Sequence, residues 1–520
     1  MHKSAKGEGV TLDSKLRRFL YLTVFLNGAA VLIVEILGAK MLSPFFGTSH
    51  FVWTAQIGVT LVSLSVGYWF GGWMVDRSPD LRRLYQCTLG AGAYLALTIP
   101  FTAKVAYACL KMPLAGGSLV ASLFLFFVPL TLLAVTGPFA IRAFTDSVAE
   151  VGGNVGRLYA VSTFGSVAGT VLIGYVMIPL LPNSATMFAT AVLLILLALA
   201  YLVWIGRAQA IAVPAAVALV AGLVGFRGIQ LDGRSPSEYW KEIERLNSNY
   251  GLMQVFETAD GSRRYYLNDY LTQNTYEPET GQSTSLFTHM LHGLAKVYTE
   301  ETKEVLCIGM GVGIVPMLFA KEGCDVDVVE INDRIAGLAN RHFGLEPDKL
   351  NLTIGDGRHF VNSSSKLYDA VILDAFLGDS SPSHLMSREA FEQMRRVLKP
   401  GGVLVINSFG DFVAGRDYFT GSLDKTLKAV FKQVLIHATE NGNVFFVASD
   451  AAELKRHREF DFASAYPLLT GEINLCLESI RRVNPESGIV LTDDYNPVEV
   501  HDAANREELR RRLAVEMRSM

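Results

Sequence analysis

Between Phe19 and Phe226 the chain is written in long apolar runs almost free of charge, whereas after Asp232 charged residues return and apolar positions recur at short intervals. The first pattern predicts membrane-spanning helices, each of which needs roughly 20 consecutive apolar residues. Runs of that length lie near 19–41, 52–75, 84–103, 118–140, 158–181, 185–206 and 209–226, an α-helical membrane bundle of about seven spans. They are rich in Gly, Ala and Ser, as in FGSVAGTVLIG at 164–174, a composition that lets helix backbones approach closely in lipid. The second pattern predicts an α/β domain. Residues 249–275 alternate apolar and polar, with Asp260-Gly261 between two runs, which is a hairpin signal. Ser283–Val297 follows as a helix whose His289 and His292 read as surface or packing histidines. Short buried strands are then predicted at Lys303–Ile308, Asp325–Val329, Asn351–Ile354 and Tyr368–Leu373, with helices between them. Ser387 caps a helix to Leu398, Lys399-Pro400-Gly401-Gly402 turns into the strand VLVINSF, and further strands lie near 433–438 and 443–449. The predicted division is a basic tail at 1–18, a membrane domain at 19–226, and a partly helical linker at 227–248. A small β-element with its helix follows at 249–300, and an α/β nucleoside-binding domain at 301–520.

Composition fits this division and removes several functions. The mean hydropathy of +0.29 is high for a soluble enzyme. A formal net charge of −4 gives no sign of a nucleic-acid partner. The five cysteines (Cys87, Cys109, Cys307, Cys324, Cys476) form no CxxC pair, so neither a disulfide framework nor a zinc site is expected, and no metal site is predicted. The first apolar run is long and lacks a prompt cleavage site, so it reads as a retained span rather than a signal peptide. The basic tail, the segment DRSPDLRR at 76–83 and the loop 142–157 share one side if spans alternate, and by the positive-inside rule that side is the cytoplasm. Seven crossings would leave the soluble half on the other side. The run 209–226 is short and carries Pro214, so it is expected to be re-entrant or not a span, which returns the soluble half to the cytoplasm. Glu35, in VLIVEILGAK, is a functional candidate because ionisable groups in the apolar layer are costly. The alternative is a carboxylate satisfied by a neighbouring helix, with Lys40 as a possible partner.

Candidate chemistry is concentrated between Lys303 and Asp374. A strand ending at Gly309 runs through Gly309-Met310-Gly311-Val312-Gly313 into a helical pattern, the order that brings backbone close to a nucleoside. Glu330 ends the next strand, where a carboxylate can accept both hydroxyls of a ribose. Asp356-Gly357 follows the third strand, with the Asp placed to meet an adenine amino group, and Asp374 ends the fourth. Ligands of open α/β sheets lie outside the carboxyl ends of the strands, so these features converge on one site. The alternative for Asp374 is a turn- or helix-capping role. Residues 375–386 are Ser/Pro-rich and read as a gate, Gln273 lies at the end of the hairpin, and LTDDYNPVEVH at 491–501 clusters acids around Tyr495.

From about Asn249 to His501 the chain resembles the spermidine synthase (polyamine aminopropyltransferase) family, and its first half resembles the multi-pass N-terminal domain of bacterial membrane-fused members. The resemblance implies a small β-domain followed by a seven-stranded methyltransferase-like Rossmann fold in a protein of the bacterial inner membrane. It further implies a homodimer, no prosthetic group, decarboxylated S-adenosylmethionine as co-substrate, and putrescine or a related small amine as acceptor. Gly309, Gly311 and Gly313 fall on the family's nucleoside loop, Glu330 on its ribose acid, Asp356 and Gly357 on its adenine side, and Gln273 near its thioadenosine-touching glutamine. Asp374, 18 residues after Asp356, falls on the general base, and Tyr495 through His501 on the C-terminal segment, with Tyr495 a second catalytic candidate.

The departures concern the amine. Val312 stands where the family has an Asp that holds the aminopropyl amine, and Phe287-Thr288-His289 where it has a Tyr-His-Glu group. The gate lacks its second Asp unless Asp379 substitutes. Because buried charges need partners, Asp379, Asp493, Asp494 and Glu499 are candidates to replace the missing carboxylates. Two other readings stay open. With Val312 the loop could accept intact S-adenosylmethionine for methyl transfer or sulfonium cleavage on another acceptor. The chain could also be a polyamine transporter or sensor with a nucleoside-binding domain.

Overall fold

The computed structural model describes residues 13–47, 50–145, 147, 150–205, 208–232, 239–376, 382–438 and 442–497. The chain divides into two compact units, residues 1–234 and 235–520.

Among its described residues the first unit contains seven helices long and apolar enough to cross a membrane: Ser14–Phe46, Phe51–Arg77, Leu81–Cys109, Leu114–Phe144, Val151–Leu180, Asn183–Trp204 and Ile211–Gln230. The last corrects the reading of 209–226 as too short. Its helix is continuous over 25 residues, Ala208–Asp232, with Pro214 inside it. A proline costs one intrahelical hydrogen bond without ending the helix, as membrane helices tolerate. The small residues set the packing between the first and fifth helices. A Cβ on Gly165 would stand 2.0 Å from the Phe25 carbonyl oxygen, and one on Gly169 would stand 2.5 Å from that of Ala29. Ser166 Oγ donates to Gly28 O at 3.1 Å along the same contact. Glu35 is half-buried and has no hydrogen-bond or ion-pair partner among the described residues. Lys40 does not pair with it, because five residues along a helix is not a neighbouring position.

The second unit begins with a five-stranded antiparallel sheet in chain order: β1 (Trp240–Ser248), β2 (Gly251–Thr258), β3 (Arg264–Asn268), β4 (Leu271–Glu277) and β5 (Gln282–Ser283). Of the expected partly helical linker, 227–232 continue the preceding helix, whereas 240–248 form β1 instead of helix. It pairs with β2 from Trp240↔Thr258 to Ser248↔Gly251, with a bulge between Glu242 and Glu244. The bulge breaks the two-residue alternation, so Trp240, Ile243 and Leu246 fall at a spacing that mimics a helix. Asp260-Gly261 does turn the β2–β3 hairpin, with Gly261 at φ 72°.

Seven strands form the larger sheet: β6 (Glu304–Ile308), β7 (Asp325–Glu330), β8 (Asn351–Ile354), β9 (Tyr368–Leu373), β10 (Leu398–Phe409), β11 (Gln433–Ala438) and β12 (Asn443–Ser449). Their order is β11-β12-β10-β9-β6-β7-β8, with β12 antiparallel between β10 and β11 and the rest parallel. Apolar clusters cover both faces, as a parallel sheet requires. From β6 the chain builds outward through β7 and β8, then returns to build β9 and β10 on the other side. Strand order therefore reverses between β6 and β9, and a ligand crevice is expected at their carboxyl ends. His289 and His292 are buried; His289 Nε2 donates to Ser283 O at 2.8 Å, and His292 packs on the Phe319 ring.

Candidate active site

A cavity of about 580 Å³ opens at that reversal. Glycine makes it possible for β6 and β9 to meet there. Gly309 adopts φ 88°, and a Cβ on it would stand 2.3 Å from the Asp374 carbonyl oxygen. The Asp374 amide in turn donates to Ile308 O at 3.0 Å. Gly309, Gly311 and Val312 line the cavity. Gly313 is not in the lining: at φ 82° it caps the helix Ile314–Lys321, and a Cβ there would meet Leu345 Cδ1 at 2.5 Å.

Three carboxylates from three strand ends face this space, each with a different environment. Glu330 is buried and accepts the Met310 amide at 2.9 Å and the Asn332 amide at 2.8 Å. Burial raises its pKa while those amides oppose the shift. It therefore holds the glycine loop in place while keeping lone pairs free for a diol. Asp356 accepts the His359 amide at 2.9 Å as the cap of a helix, and His384 Nε2 at 3.0 Å. Burial pushes its carboxyl up, but these donors hold it below the usual range. Asp374 accepts Asn407 Nδ2 at 2.9 Å. Burial pushes its pKa up to about 6, against the pull of Asn407 and with added repulsion from Glu330. A carboxyl titrating there can take a proton near neutral pH, which is what a general base does.

Gln273, Phe287, Asp356 and Gly357 also line the cavity. The C-terminal candidates do not. Asp493 is held by Arg358 Nη1 at 2.6 Å and Ser387 Oγ at 2.6 Å. Asn496 Nδ2 donates to Ser383 O at 3.0 Å. This segment thus holds Ser383 and Ser387, at the end of the loop and the start of the following helix. Asp493, Asp494 and Tyr495 are absent from the lining, and Tyr495 is 62% exposed. Asp379, Glu499 and His501 lie outside the described residues.

Asn407, His384 and Glu472 line the cavity without having been singled out from the sequence. Asn407 stands two residues before the end of β10, just past its parallel pairing with β9, and Asn443 Nδ2 donates to its Oδ1 at 3.2 Å. Extending the strand-end argument by one strand would have reached it. His384 and Glu472 arrive through a loop and a distant helix, which no spacing rule signals.

The strand order, with one antiparallel strand in an otherwise parallel seven-stranded sheet, defines an α/β domain of the methyltransferase-like class. Residues 284–450 match the family described as Spermine/spermidine synthase domain. The second unit therefore carries a spermidine synthase domain, as the resemblance implied. The chain is similar to the polyamine aminopropyltransferase of Vibrio vulnificus (strain CMCP6), at 33% identity over 22% of this chain and 40% of that protein. It is also similar to a putrescine N-methyltransferase 2 of Nicotiana tabacum, at 30% identity over 31% of this chain and 48% of that protein. The chain thus spans half or less of the length of these two relatives. Among solved structures it is similar to a probable spermidine synthase from Corynebacterium glutamicum ATCC 13032. That likeness has 19% identity and a TM-score of 0.37, covering 45% of this chain and 86% of that one.

Proposed function

We propose that the chain is a membrane-integral aminopropyltransferase that uses decarboxylated S-adenosylmethionine and a small amine such as putrescine. The observation that carries this reading is Asp374: a carboxyl poised at about 6, oriented by Asn407, in the same cavity as the glycine loop and Glu330. In the reaction the amine nitrogen attacks the propyl carbon beside the sulfonium, an N–C bond forms, and the C–S bond breaks. The electron pair of that bond returns to sulfur, which leaves as neutral methylthioadenosine. Asp374 takes the proton from the attacking ammonium, so the nucleophile enters as a free amine. Glu330 and the backbone of Gly309–Gly311 would fix the nucleoside so that the carbon lies in line with the amine. Such alignment supplies a large share of the rate in displacement reactions.

The seven apolar helices support a multi-pass location, and we place the soluble half in the cytoplasm, where sulfonium nucleosides are made. That placement needs an even number of crossings. The helix Ile211–Gln230 is long and apolar enough to cross, but it is the least buried of the seven in its own unit and is the one we assign to the membrane surface. Labelling of a cysteine introduced in the soluble half, by an impermeant thiol reagent on intact cells, tests it; labelling without lysis would refute the placement.

A second reading is favoured by one feature. Val312, buried in the glycine loop, offers no charge to an aminopropyl ammonium, and one matched relative is named a putrescine N-methyltransferase. Intact S-adenosylmethionine would then transfer its methyl group to the amine held at Asp374. Calorimetric titration of the purified full-length protein with each nucleoside, followed by product analysis with putrescine, separates the two. Aminopropylated product with tighter binding of the decarboxylated form supports the first reading. Methylated product, with the intact form preferred, replaces it with the second.

A further inference from the structure

Among the described residues four carboxylates line the cavity: Glu330, Asp356, Asp374 and Glu472. Three already have partners. Glu330 is committed to the Met310 and Asn332 amides, Asp356 to the His359 amide and His384, and Asp374 to Asn407 on one oxygen. Among the described residues Glu472 makes no hydrogen bond or ion pair, and it is exposed. It stands in the first turn of the helix Thr470–Glu478. That helix packs on the helix Leu286–Tyr298, whose Phe287 lines the same cavity. Glu472 also lies beyond the segment 284–450 that matches the family, so it is a feature of this chain outside the matched domain.

We propose that Glu472 is the specificity-determining carboxylate of the acceptor end, binding the second, non-reacting ammonium of a diamine or polyamine while Asp374 receives the reacting amine. The inference rests on the aminopropyl-transfer reading and deepens it. A doubly charged acceptor entering a partly desolvated cavity needs a partner for each charge. The reacting charge is removed by proton transfer to Asp374, which leaves the distal one to be balanced. The sequence offered Asp493 for this, but Arg358 and Ser387 already hold it, and neither Asp493 nor Asp494 reaches the lining. Position 289, on the helix that Glu472's helix packs against, is a histidine turned to Ser283 O and brings no negative charge. Among the described residues Glu472 is the one lining carboxylate with both oxygens uncommitted.

The test compares putrescine with n-butylamine, a monoamine of equal chain length, on the full-length detergent-purified protein with decarboxylated S-adenosylmethionine. Glu472→Gln should raise KM for putrescine about tenfold or more, the value of one charge-assisted hydrogen bond, with kcat within a factor of about two. The putrescine-to-butylamine ratio of kcat/KM should fall by the same factor, and Glu472→Asp should recover part of it. An unaltered ratio in Glu472→Gln overturns the proposal. Failure of the wild-type protein to aminopropylate either amine, with nucleoside still bound, would instead refute the functional reading and the proposal with it.

Discussion

Glycine does different work in the two halves of this chain. In the apolar half, Gly28, Gly165 and Gly169 keep ordinary helical geometry, and what matters is the missing Cβ. A carbonyl of the neighbouring helix occupies its place, 2.0 Å from where the Cβ of Gly165 would be. In the soluble half, Gly309, Gly311 and Gly313 stand at φ 88°, 52° and 82°, a region that side chains enter only at a cost. There the missing Cβ lets a loop fold back on a strand end, against the Asp374 carbonyl, at the edge of a cavity. The first arrangement specifies packing and is indifferent to any ligand. The second specifies a place for one. If this contrast holds, chemistry depends on the soluble half and damage to the other half registers as lost stability.

The sharpest test is Asp374→Asn. Turnover should fall by a factor on the order of 10²–10⁴, the usual contribution of a general base, while nucleoside binding persists. The same variant should not melt earlier than wild type at pH 8. Burial raises the folded-state pKa of Asp374 to about 6, so the protonated form is the one the fold favours. Its contribution to stability is present below the unfolded value and is lost as pH rises through about 6. An amide avoids that loss and can still accept from Asn407. Retained turnover would remove Asp374 from the mechanism.

Next in size is a matched pair of glycine variants. Gly309→Ala forces a left-handed residue and a clash with the Asp374 carbonyl, so nucleoside affinity should drop by about tenfold or more, with loss of about 1–3 kcal/mol of stability. Gly165→Ala should lose a comparable amount of stability, read as thermal melting in detergent, because Phe25 must move. The folded fraction should bind nucleoside with affinity within about twofold of wild type. Equal loss of nucleoside affinity in both variants would break the contrast between the halves.

The sequence exposed these two halves unequally. Run length alone identified the seven long apolar helices found among the described residues, because a helix of that length needs an unbroken apolar run to be read from sequence. The glycine loop, Glu330, Asp356 and Asp374 could be read because each sits at a strand end, where topology fixes position. β1 was hidden by a bulge that turned a two-residue alternation into a helical one. Asp493 was misleading for a different reason: a carboxylate near the expected segment says nothing of Arg358, 135 residues away, which consumes its charge. Glu472 was invisible because it reaches the cavity from a helix with no sequence relation to the strand ends.

A smaller effect should follow pH. If Asp374 must be ionised to accept the proton, kcat/KM should fall about tenfold between pH 7 and pH 5, with an acidic limb near 6. In Asp374→Asn that limb should disappear from whatever activity remains. A limb that survives in the variant would assign it to another group in the cavity.

The least effect is expected at Tyr495. The resemblance places it among the catalytic residues, but its side chain is 62% exposed and it does not line the cavity. Its backbone closes a small turn, donating to Thr492 Oγ1 at 3.1 Å and accepting from the Thr492 amide at 3.2 Å. A hydroxyl in solvent cannot share a proton with an amine at Asp374. Tyr495→Phe should therefore leave kcat and both KM values within about twofold, the range of ordinary surface substitutions. The neighbouring Asp493→Ala is the informative control. It releases Arg358 and Ser387 and so loosens the end of the loop and the start of the following helix, which should raise KM for both substrates severalfold. A large fall in kcat for Tyr495→Phe, with Asp493→Ala near wild type, would mean that the segment swings inward during turnover. The cavity would then be completed by the C-terminal segment only when substrate is bound.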